Sequence, residues 1–90
     1  MSPGLYYIKQ RFTDGHKLEV AIFPVIGDDA AHVAYYELVE YFVHSEPDVL
    51  TLNAKDVYQH AKDVLQQHTI LWRMELYDRD KNVILRSSDS

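Results

Sequence analysis

The sequence has no cysteine, which removes disulfides, thiolate metal ligands and cysteine nucleophiles. Glycine and proline occur only three times each. The glycines, Gly4, Gly15 and Gly27, are scattered, so no glycine-rich phosphate cradle of the P-loop or dinucleotide-binding kind is present. The serines, Ser2, Ser45, Ser87, Ser88 and Ser90, fall near the ends or in a loop, and none sits in a G-x-S-x-G turn. Thr13, Thr51 and Thr69 occupy turn or helix-end positions, where the hydroxyl serves the backbone. Covalent catalysis needs a nucleophile, a base and an orienter together, and finds no footing here. No apolar run approaches the ~20 residues needed to span a bilayer. Residues 1–4 lead into a polar-interrupted strand rather than an apolar signal core. A cytoplasmic, non-enzymatic protein with no membrane partner and no cofactor is the expectation.

Positive charge is scarce in one place. The net charge is −5, yet Lys and Arg are confined to Lys9, Arg11 and Lys17 at the start and to the stretch from Lys55 to Arg86. The interval between Lys17 and Lys55 holds Glu19, Asp28, Asp29, Glu37, Glu40, Glu46 and Asp48 without one cation. Such a block repels phosphate and attracts basic surfaces.

What is present suffices for one domain. The chain has 90 residues, 47% of them hydrophobic and 26% charged, a composition that folds rather than stays disordered. A chain of this length supports one core and no second, so residues 1–90 are read as one domain, with 87–90 as a frayed tail.

Residues 5–12 and 17–25 read as a hairpin around Thr13-Asp14-Gly15. A two-residue turn would mix charge with core on one face. A three-residue loop with Gly15 left-handed pairs Gln10 with Leu18, Ile8 with Val20 and Tyr6 with Ile22. That register gathers Tyr6, Ile8, Phe12, Leu18, Val20 and Ile22 on one side, and is the one expected. Pro24 ends the second strand or places it at an edge. Gly27-Asp28-Asp29 opens a helix to about His44, with either aspartate as cap. Its apolar arc is Ala30, Ala34, Leu38, Tyr41 and Phe42.

A second helix spans about 54–68, capped by Asn53 with Asp56 three residues on and Leu52 placed to staple against Val57. Its buried stripe is Val57, Tyr58, Ala61, Val64 and Leu65. Residues 70–77 alternate with Ile70, Trp72, Met74 and Leu76 inward, residues 78–82 turn, and 83–86 form a short last strand. The class is α+β with order ββααββ: an antiparallel sheet of two hairpins with two helices packed on one face.

Three surfaces are candidates for function. The outer arc of the first helix carries His32, Tyr36, Glu37, Glu40 and His44, with Val33 and Val43 beside them. Tyrosine among carboxylates suits a basic protein partner, the ring supplying area and the charges orientation. Glu40 and His44, four apart, could offer two ligands to a divalent metal, but a site needs a third. His60 or His68 would supply it only if the polar faces of the two helices converged, and amphipathic packing is expected to turn them outward. Lys9, Arg11 and Lys17, with Tyr7, form a small basic patch on the first hairpin that could hold nucleic acid weakly. The carboxylate pairs Glu37/Glu40 and Asp28/Asp29 lack the desolvation that acid–base chemistry requires.

The expectation is therefore an acidic binding protein acting through protein–protein contacts at the helix face, as an inhibitor of a basic or nucleic-acid-handling partner. Phage anti-defence proteins of the anti-CRISPR kind offer an analogy of size and charge, not of residues. A homodimer is the other association such a small core favours.

Overall fold

A computed structural model of the chain describes residues 5–27, 29–44, 53–68 and 71–89. The elements run β1 (Tyr6–Arg11), β2 (Lys17–Phe23), α1 (Ala30–His44), α2 (Ala54–Gln67), β3 (Leu71–Tyr77) and β4 (Val83–Asp89). All pairings are antiparallel and the sheet order is β1-β2-β3-β4. The two helices lie in the connection between the central strands, and β1 and β4 are the edges.

Alternation along the strands decides which face the helices cover. Leu18, Val20 and Ile22 of β2 and Trp72, Met74 and Leu76 of β3 are buried. They pack with Ala31, Ala34, Leu38 and Phe42 of α1 and with Val57, Tyr58, Ala61, Val64 and Leu65 of α2. Each large side chain buried there contributes about 1.5–3 kcal/mol against chain entropy. Among the described residues no helix covers the other face of the sheet.

The first hairpin adopts the expected three-residue loop. Tyr6 opposes Ile22, Ile8 opposes Val20 and Gln10 opposes Leu18. The N–H of Phe12 donates to the His16 carbonyl at 2.9 Å, that of Gly15 to the Phe12 carbonyl at 3.1 Å, and Gly15 has φ +95°. The second hairpin repeats this geometry. The N–H of Asp78 donates to the Asn82 carbonyl (2.9 Å), that of Lys81 to the Asp78 carbonyl (3.0 Å), and Lys81 sits at φ 69°. Both loops are three residues closed by an Asp-assisted turn. Asp14 Oδ1 accepts the His16 N–H at 3.0 Å, and Asp78 Oδ1 accepts those of Asp80 and Asn82 at 2.9 Å each.

α2 begins where its cap dictates: Asn53 has extended backbone, and its Oδ1 accepts the Lys55 N–H at 2.8 Å. In α1 the Val33 N–H reaches the Asp29 carbonyl at 3.0 Å, so Asp29 immediately precedes the helix. Asp28, Leu52 and Ile70, given capping, stapling and inward roles above, lie outside the described residues.

Two readings change. The buried arc of α1 starts at Ala31, with Ala30 and Tyr41 only partly covered, because the arc is centred on Leu38 and those two residues fall at its margins. The last strand does not stop at residue 86. Ser87 opposes Met74, Ser88 opposes Arg73 and Asp89 opposes Trp72, and the Tyr58 hydroxyl is hydrogen-bonded to the Ser87 side chain. Backbone pairing holds this segment, which carries no apolar side chain to mark it as a strand.

Candidate functional site

Helix periodicity divides the outer arc of α1 into two margins. On the β1 side, Tyr6 stacks on Tyr35 with ring centroids 4.8 Å apart, and its hydroxyl lies 3.3 Å from His32 Nδ1. His32 meets Tyr36 edge-on at 4.6 Å. His32 and Tyr36 thus belong to an aromatic cluster rooted in the first strand, with Tyr36 still 53% exposed. On the α2 side, Glu37, Glu40, Tyr41 and His44 form one wall of an open groove, and His60, Val64 and Gln67 of α2 form the other. Glu37 Oε1 is 3.3 Å from His68 Nε2 at the end of α2. Val33 and Val43, 42% and 59% exposed, lie on the same outer arc, Val43 at the angle of His32 and Tyr36 and Val33 at that of Glu40 and His44.

His60 is not turned away from α1. Its ring lies 4.2 Å from that of Tyr41, because residue 60 sits about 40° from Val64 round the helix, at the margin of the buried stripe. The groove therefore brings Glu40, His44 and His60 to one lining, a convergence that amphipathic packing was expected to prevent. Even so, no group of three or more His, Asp or Glu side chains among the described residues could hold a metal ion. The lining includes no Lys or Arg. Lys55 and Lys62 fall on the far side of α2 from His60.

The open face of the sheet carries the opposite charge. Lys9, Arg11 and Lys17 of the first hairpin are joined there by Arg73 and Arg86, distant in sequence and brought to the same face by strand order and register. One cross-strand row reads Lys9, Glu19, Glu75, Arg86. Arg86 Nε donates to Glu75 Oε2 at 2.9 Å, the Tyr77 hydroxyl donates to Glu75 Oε1 at 3.2 Å, and Lys17 Nζ is 2.9 Å from Glu19 Oε2. Burial by itself would raise the Glu19 carboxyl. Hydrogen bonds from Lys17 and Tyr7, with the charges of Lys17 and Lys9, hold it below its ordinary value.

At the turn end, the next row is Arg11, Lys17, Tyr77. These residues and Gly15, Asp78, Arg79 and Lys81 line a cleft of about 250 Å³ between the two hairpin turns. Lys17 Nζ lies 4.8 Å from the centre of the Tyr77 ring.

Lys and Arg are therefore concentrated in the sheet layer. Seven of the nine cations, Lys9, Arg11, Lys17, Arg73, Arg79, Lys81 and Arg86, belong to the strands and their turns. Glu37 and Glu40 stand on a helix with no cation of its own. Among the described residues no helix is long and apolar enough to cross a membrane. No protein-family model, no curated protein and no solved structure matches the chain.

Proposed function

We propose that this protein is a binding module that engages a basic protein surface through the outer side of α1 and the adjoining groove. The observation that carries this reading is the cation-free groove wall of Glu37, Glu40 and His44 beside exposed Tyr36, Val33 and Val43. Carboxylates at the rim steer and orient a basic partner, while aromatic and aliphatic area between them supplies contact that is not lost to salt. The Tyr6–Tyr35–His32–Tyr36 cluster fixes the Tyr36 ring in advance, which lowers the ordering cost of binding. The function is recognition, as expected of an inhibitor or adaptor of a basic, nucleic-acid-handling partner.

The test is capture of partner proteins on immobilised chain at low and high salt, repeated with the double reversal Glu37→Lys/Glu40→Lys. Loss of the captured species in the reversed variant, with melting unchanged, supports the reading. Equal capture by both forms overturns it.

A further inference from the structure

We propose that the cleft between the two hairpin turns binds a compact phosphate-bearing ligand. The two loops, built to one geometry, lie against each other: a Cβ added to Gly15 would fall 2.7 Å from the Cβ of Arg79. That contact fixes the spacing of the cleft lined by Arg11, Lys17, Arg79 and Lys81, with Asp78 as the one carboxylate among the described residues. Four positive side chains and one negative leave the lining three charges positive on a protein whose net charge is −5. Asp78 is already engaged, since its Oδ1 accepts two backbone N–H groups. Lys17 shares its charge with Glu19 at 2.9 Å. Arg11, Arg79 and Lys81 make no ion pair among the described residues, so three cations converge there without an ion-pair partner.

A phosphate supplies what that lining lacks. Guanidinium groups of Arg11 and Arg79 can each present a paired N–H fork to its oxygens, and the Tyr77 phenol lines the same space. The ligand is compact rather than a polynucleotide because of what lies next to the cleft. The adjoining row places Glu19 opposite Glu75 on the two central strands, so a phosphate backbone continuing across the sheet would run over two carboxylates. Along the two central strands the attractive surface is interrupted one row from the turns.

The experiment is a titration of the ¹⁵N-labelled full chain with pyrophosphate at constant ionic strength, followed by amide shifts. Saturable shifts at Gly15, Arg79 and Lys81 are expected. Arg11→Gln/Arg79→Gln should lower the affinity about tenfold or more, the scale of losing charge-assisted hydrogen bonds, while Lys55→Gln/Lys62→Gln leaves it unchanged. Melting temperatures matched to wild type show that both variants fold. Lys81→Asn, a residue that tolerates the left-handed backbone, gives a second variant expected to weaken pyrophosphate binding without loss of stability. Shifts that do not saturate, or equal loss in the two double variants, overturn the proposal. So does an oligothymidine that binds more tightly than pyrophosphate, with shifts spreading to Ala21 and Arg73 across the open face.

Discussion

Gly15 and Arg79, 64 positions apart in sequence, are in direct contact at the end of the sheet where both hairpins turn. Gly15 stands at φ +95°, and a Cβ there would meet Arg79 Cβ at 2.7 Å. Two costs fall on any side chain at this position: the left-handed backbone and the displacement of the neighbouring loop. Gly15→Ala should destabilise the fold by about 1–3 kcal/mol. Denaturant unfolding followed by the emission of Trp72, the sole tryptophan and 2% exposed, measures it. The variant should also weaken pyrophosphate binding, because the loop that moves carries Arg79. A stability within 0.5 kcal/mol of wild type, roughly the range of neutral surface changes, would show that the turns do not press on each other.

The second hairpin holds the same loop with a lysine where the first has glycine. Lys81 at φ 69° bears a strain of about 1–2 kcal/mol. Lys81→Gly removes that strain and gives some of it back through the freer unfolded chain. The net expectation is a gain of up to about 1 kcal/mol, read as a rise in melting temperature. Stability and anion affinity should move in opposite directions in this one variant, since Lys81 also lines the cleft. Such opposition is what a residue kept for binding rather than for folding displays.

The strand register of the first hairpin was legible because only one loop length puts Ile8, Leu18, Val20 and Ile22 on a common face. The cap of α2 was legible because Asn53 acts within two residues of itself. The strand through Ser87–Asp89 was not, since its pairing lies in the backbone and in Tyr58, 29 residues away from Ser87. Nor was the cleft. Arg11 and Lys17 could be seen as a patch of the first hairpin, but only sheet order places Arg79 and Lys81 beside them. The sequence signal for it was slight: the two turns share only a central aspartate, Asp14 and Asp80. His60, named in the sequence as a third ligand only if the helix faces converged, turns toward α1 rather than away from it for a different reason. It stands at the margin of an amphipathic stripe, where a polar residue can face either solvent or the neighbouring helix.

Asn53→Ala tests the local term alone. The substitution removes the acceptor of the Lys55 N–H and should cost about 1 kcal/mol, which is about 4–8 °C in melting temperature for a domain of this size. Asn53→Asp keeps an acceptor oxygen at the positive end of the helix and should lie within a few tenths of wild type. If alanine and aspartate melt together, the cap contributes nothing and α2 is held by its buried face alone.

Acid should unfold this protein partly through its turns. Hydrogen bonds from the backbone N–H of His16 to Asp14 and of Asn82 to Asp78 favour the ionised carboxylates and lower both below the ordinary aspartate value of 3.8. A carboxyl with a folded pKa below its unfolded one stabilises the fold while ionised. That contribution is complete above about pH 4 and disappears as pH falls through the lower folded value. Stability measured by denaturant should therefore drop from about pH 4 downward. Asp78→Asn keeps an oxygen to accept the two N–H bonds but cannot titrate, so its acid limb should be shallower than that of wild type. Glu19, also held low, should keep part of the slope, and Glu19→Gln combined with Asp78→Asn should flatten it further. An acid limb identical in wild type and Asp78→Asn would assign the pH dependence to other carboxylates and leave the turn aspartates as neutral fixtures.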